Sequence, residues 1–186
     1  DLKSMSDSMS VLTAALLLSV VLIYLTMVVL YNNWVDPLVV MFSIPLSIVG
    51  AILALALTNT PLSIYGMLGF VVLIGLVAKN AILLVDFAIE ARLQGKTVDE
   101  ALIGAVKIRT RPILMTALST IVGMFPVALS RGSGSELLNG MAWVIIGGMT
   151  LSTLLTLIVV PVVFKIFHSG KNKKKPIDIE LLLAEE

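Results

Sequence analysis

The sequence predicts an all-α integral membrane protein, a bundle of five transmembrane helices with one short amphipathic cytoplasmic helix. Three observations carry that prediction. The chain has 186 residues, 58% of them hydrophobic and only 13% charged, with mean hydropathy +1.05, which is outside the range of soluble domains. Uncharged runs extend over Val11–Tyr31, Pro37–Ala78, Pro112–Ser130 and Leu137–Phe164. The second is too long for one crossing and contains the turn-forming stretch Thr58-Asn59-Thr60-Pro61, so it divides in two, and each resulting segment approaches or exceeds the roughly 20 residues that span a bilayer.

The net charge of +1 is uninformative, but its distribution is not. Arg92, Lys96, Lys107, Arg109 and Arg111, with Lys165, Lys171, Lys173, Lys174 and Lys175, fall on one side of the expected topology, against Lys3 and Arg131 on the other. The positive-inside rule therefore places the N-terminus outside and the C-terminus in the cytoplasm, in a multi-pass protein of the cytoplasmic (inner) membrane. The opening residues have no basic region of signal-peptide type. Cysteine is absent, which excludes disulfides and thiolate metal sites, and nothing in the composition supports a nucleic-acid or redox role.

Residues 1–10 read as the end of an extracytoplasmic segment, either an amphipathic lead-in helix with Leu2, Met5 and Met9 on one side or an unstructured stub. Residues 11–167 form the transmembrane domain, with spans at about 11–31, 38–57, 63–90, 112–129 and 137–167. The first closes on Tyr31-Asn32-Asn33-Trp34, residues suited to the membrane interface. The second opens at Asp36-Pro37 and should kink at Pro45. Ser63 is the expected N-cap of the third, whose early half holds Gly66, Gly69 and Gly75 for close packing. Between spans three and four, Thr97 should cap an amphipathic helix over Val98–Ile108, with Glu100 completing a capping box. The fourth span should bend around Met124–Pro126, and Arg131–Glu136 reads as a flexible outer loop. The fifth carries Gly140, Gly147, Gly148, Ser152, Thr153 and Thr156. Residues 168–186 form a cytoplasmic tail whose lysines suit anionic lipid in the surrounding bilayer.

Lys79 is the foremost candidate for function, because it is the one charge set well inside a membrane-length apolar segment. Asp86 is seven residues on, so it shares the same face but lies roughly 10 Å along the axis, too far for a direct ion pair. The carboxylate that Lys79 needs must come from another helix, and none of the other four spans supplies one. A second stripe runs through Thr116, Ser119 or Thr120, and Gly123, and extends back to Arg109. Threonines in membrane helices commonly bond their own preceding turn, and Arg109 also fits an ordinary interfacial arginine. His168 stands alone near a span end, so no metal set can be assembled.

The runs GFVVLIGLVAKNAILLVDFA (Gly69–Ala88), IRTRPILMTALSTIVGMFPVAL (Ile108–Leu129) and IIGGMTLSTLLTLIVVPVVF (Ile145–Phe164) closely resemble the C-terminal membrane domain of resistance-nodulation-division (RND) multidrug efflux permeases. The likeness covers essentially residues 1–170, the family's last five spans, and the AKN lysine fits the branch exporting hydrophobic and amphiphilic compounds. The resemblance implies a proton-driven antiporter rather than an enzyme, with protons as coupling ion and no cofactor. Within it Lys79 would face two aspartates of the N-terminal half, and Thr116, Asp86 and Arg109 would belong to the same relay. The implied partners are the remaining N-terminal half and porter domain, a homotrimeric assembly, and a periplasmic adaptor with an outer-membrane channel. A complete permease is several times longer, so this chain is expected to supply one side of the machine. Two other readings fit the sequence: a structural or assembly module associating through Gly147-Gly148 and the small-residue faces, and an RND-type exporter of lipids, siderophores or metal ions.

Overall fold

The structure is a computed structural model and describes residues 2–130, 132 and 134–168. Six helices follow one another: α1 (Leu2–Tyr31), α2 (Val35–Met41), α3 (Ser43–Leu57), α4 (Ile64–Leu93), α5 (Val98–Leu129) and α6 (Ser135–His168). With α2 and α3 counted as one interrupted crossing, five segments are long and apolar enough to span a membrane, as expected. Short turns join them, so successive spans run antiparallel. Arg92, Lys96, Lys107, Arg109 and Lys165 consequently gather at one end of the bundle, called here the basic end.

Local chemistry sets the helix boundaries. Asn32 adopts φ +47° and ends α1, a conformation that asparagine tolerates better than most residues. The interruption at Phe42 lies between α2 and α3, three residues before Pro45. That proline has no N–H to donate to Met41, and its ring crowds the Met41 carbonyl, so the helix loosens one turn upstream. Ser63 caps α4 by accepting from the Gly66 amide at 3.2 Å. Thr97 forms the anticipated capping box: its hydroxyl accepts from the Glu100 amide at 3.3 Å, and Glu100 accepts from the Thr97 amide at 2.9 Å. We expect Thr97→Ala to cost about 1 kcal/mol in the first turn of α5. Faster amide hydrogen exchange confined to Val98–Leu102 is the measurement that checks it.

Two expectations are revised. The amphipathic segment over Val98–Ile108 is helical but is not a separate helix, because α5 continues through Pro112 to Leu129. Leu102 and Ala105 before the proline, and Ile113 and Ala117 after it, are all buried on one side of α5. Packing on both sides of Pro112 offsets the single lost backbone bond, as in other membrane helices. The lead-in at Leu2–Ser10 is likewise continuous with the first span in α1. Arg131, Ser133 and the tail beyond His168 lie outside the described residues.

α6 is the central helix, packed against α3, α4 and α5. The most apolar stretches of α4 and α6 are 56% and 50% buried, against 6% and 17% for α1 and α5. Small residues permit this density. A Cβ on Gly50 would lie 2.7 Å from the Gly147 carbonyl oxygen, and one on Gly147 would lie 2.6 Å from that of Gly50. The backbones of α3 and α6 therefore touch. Gly148 receives the Leu73 side chain of α4, and Gly69 abuts the Met141 backbone. The Gly147-Gly148 pair is thus occupied inside the bundle. Gly75 differs: nothing lies within 4 Å of the position its Cβ would take.

Candidate functional site

The buried side of α4 is lined by Leu73, Ile74, Val77, Ala78, Ala81, Leu84 and Val85, which pack into the apolar cores. The opposite side carries Leu68, Val72, Gly75, Lys79, Asp86 and Glu90, all exposed. Steps of three, four and seven put these residues on a single helical face. Lys79 is therefore on the outside of the described bundle, one turn from a glycine with empty space above it.

α5 presents its own polar residues beside that face. Leu76, Lys79 and Asn80 of α4, Met115, Thr116, Ser119 and Thr120 of α5, and Met149 of α6 line a groove of about 380 Å³. Its back wall is apolar and buried at Met149, while Asn80 is only 7% exposed. Thr116 Oγ1 donates to the Ile113 carbonyl at 3.0 Å, and Thr120 Oγ1 donates to the Thr116 carbonyl at 2.9 Å. Both hydroxyl protons are committed to the helix, as is usual for threonine in a membrane segment. Their oxygen lone pairs remain able to accept, and the Lys79 ammonium has three donors and no acceptor. Among the described residues no carboxylate pairs with Lys79. The groove thus holds a cation and hydroxyl acceptors but no counter-charge.

Asp86 and Arg109 do not line this groove. Asp86 is exposed two turns further toward the basic end. Arg109 is half-buried and lays its guanidinium 5.4 Å from the centroid of the Phe87 ring, a cation–π contact between α5 and α4. Its Nε is buried without an acceptor. Because α5 is unbroken, Arg109 and Thr116 stay on one face about 10 Å apart. A larger groove of about 690 Å³ between α1, α3 and α4 is walled by Leu16, Ile52, Leu55, Met67 and Phe70 and contains no ionisable side chain, so proton chemistry has no group to use there.

One polar arrangement escaped sequence reasoning. His168 at the end of α6 approaches Asp36 at the start of α2, Nε2 to Oδ1 at 3.0 Å, with both side chains buried. The two residues are far apart in the sequence, and only the antiparallel course of the chain brings them to the same end. Among the described residues no group of three or more His, Cys, Asp or Glu could hold a metal ion.

The comparisons with known proteins bear on this geometry directly. Residues 2–168 match the AcrB/AcrD/AcrF family. The chain belongs to that family. It is 43% identical over 164 residues to the multidrug resistance protein MdtC of Salmonella paratyphi A, and equally so to MdtC of Salmonella newport and of Salmonella dublin. Each alignment takes in 84% of this chain and 16% of the relative, so the chain spans about a sixth of the length of these proteins. The likeness to RND multidrug efflux permeases read from the three sequence runs is therefore established, and what the chain carries is a piece of their transmembrane region.

Proposed function

We propose that the chain is the lysine and threonine side of a transmembrane proton relay in a proton-driven antiporter that exports hydrophobic or amphiphilic compounds. The observation that carries this reading is the convergence of Lys79 and Thr116 on one open groove that no carboxylate lines among the described residues. An ammonium at membrane depth without a counter-charge is costly. Carboxylates supplied by the rest of the permease would complete the site. When those carboxylates are ionised, Lys79 is held against them; when they take up protons, the attraction lapses and Lys79 turns toward the lone pairs of Thr116 and Thr120. The two arrangements are discrete, so proton uptake can be tied to a movement of α4 against its neighbours.

Asp86 and Arg109 have a different part in this scheme. They sit between the groove and the basic end, where Asp86 can hold a proton on its way and the fixed charge of Arg109 sets the local field. In the proposed orientation the basic end faces the cytoplasm of an inner-membrane protein and the N-terminus faces outward. The remaining half, the porter domain and the homotrimer are the assembly in which the relay acts, with a periplasmic adaptor and outer-membrane channel beyond it. Transport of this kind uses no cofactor and no covalent catalysis, the proton being the coupling ion.

The reading is tested in proteoliposomes of the complete permease by following export driven by an imposed proton gradient. Thr116→Val keeps the shape of the side chain and removes its acceptor, so proton-coupled export should fall by about 10-fold or more, while Thr116→Ser keeps most of it. Export by Thr116→Val at the parent rate would remove α5 from the relay.

A further inference from the structure

The basic end holds a second titratable site, separate from the Lys79 groove. Asp36 and His168 are 5% and 4% exposed and come from the start of α2 and the end of α6. Asp36 Oδ2 accepts from Asn33 Nδ2 at 2.9 Å, which fixes the carboxylate. The imidazole is stacked on Phe164, ring centroids 4.2 Å apart, and its Nδ1 lies 3.1 Å from the Phe164 carbonyl oxygen. A carbonyl only accepts, so Nδ1 carries a proton. The other nitrogen, Nε2, is 3.0 Å from Asp36 Oδ1, and that oxygen has no in-line hydrogen-bond donor, so the contact is one of charge.

With a proton on Nε2 as well, the 3.0 Å approach sets an imidazolium beside a carboxylate; without it, the carboxylate loses that opposite charge in a buried place. Among the described residues, no hydrogen bond or ion pair joins a second cation to Asp36. Tyr31, from the end of α1, donates to the Ile82 carbonyl at 3.4 Å and is within electrostatic range of Asp36 and of Asp86 on α4. Lys165, one turn back on α6, is drawn to the surface by Asp99 of α5 at 2.7 Å. Val39, Val40, Ala88 and Phe164 belong to the apolar core at this end.

We propose that Asp36 and His168 form a proton-binding clamp: the charge His168 gains on protonation fastens the end of α6 to the start of α2 through the Asp36 carboxylate, and its loss lets the two part. α6 is the helix against which α3, α4 and α5 pack, and it supplies Met149 to the Lys79 groove. α2 is joined to α3 only through the break at Phe42. The clamp therefore ties the His168 end of the central helix to a segment set off from α3 by the break at Phe42. In the orientation proposed above, the proton it senses is the cytoplasmic one.

The cysteine-free sequence allows a direct test that needs no transport activity. Spin labels on Leu38→Cys and Ile166→Cys, both exposed, report the distance between α2 and the end of α6 in the full chain. A single short distance at about pH 5, joined by a longer population by about pH 8, is the expected result in the otherwise native chain. In His168→Gln the carboxamide can donate to Oδ1 at any pH, so the distance should no longer respond. Should His168→Gln fail to fold, Asp36→Asn makes the same comparison, since its carboxamide donates to an unprotonated Nε2 and holds the contact at high pH. His168 is the one histidine of the chain, so ¹⁵N-histidine labelling follows its ring without overlap. A distance that does not change with pH in the native chain, or a change that persists unaltered in the variant, overturns the clamp.

Discussion

Lys79→Ala should abolish proton-coupled efflux by the complete permease, with a loss of about 100-fold or more in the rate driven by an imposed proton gradient. The expectation follows from the chemistry of the groove. Lys79 is its only cation, and Thr116, Ser119, Thr120 and Asn80 offer neutral partners alone. Alanine removes the charge whose attraction and release would couple protonation to movement. Lys79→Arg should restore little, because a planar guanidinium keeps its charge but spreads it over a rigid fork in place of a compact ammonium on a flexible stem. The measurement is export of a fluorescent amphiphile from energised proteoliposomes, with substrate binding followed separately to show that the variant is assembled. Efflux by Lys79→Ala at the parent rate would sink the relay.

The second large effect concerns the core and contrasts two glycines. Gly147→Leu should destabilise the bundle by about 3 kcal/mol, because the added side chain must displace the α3 backbone at Gly50 and the Ala54 side chain. Gly75→Leu should leave the isolated chain within about 0.5 kcal/mol of its parent, since no atom lies within 4 Å of the new Cβ. Loss of helical ellipticity on titration with a denaturing detergent reports both. If Gly147→Leu unfolds no earlier than Gly75→Leu, the close crossing of α3 and α6 is wrong.

Much of the fold is legible in the sequence because a bilayer leaves few solutions. Hydrocarbon satisfies no backbone hydrogen bond, so long uncharged runs must be helices, and charge asymmetry orders their ends. The caps at Ser63 and Thr97 are equally local, each needing only residues three apart. At Pro112 the local signal points to a boundary, because a proline weakens a helix locally, while its continuation depends on Leu102, Ala105, Ile113 and Ala117 being buried on one side of α5. The glycines show the same division. Their spacing marks close approaches, but it does not say that Gly147 and Gly148 are spent within the chain while Gly75 is left open.

By itself, then, the sequence determined an all-helical membrane protein of five spans, the family it belongs to, and the anomaly of Lys79, because each depends on apolar length, short-range spacing or matched motifs. Tertiary structure alone decided that Lys79 and Thr116 share a groove, that Asp86 and Arg109 stand apart from it, and that Asp36 and His168 meet. Those outcomes depend on the rotation of each helix about its axis, which is set by how α3, α4 and α5 seat against α6 rather than by any one segment.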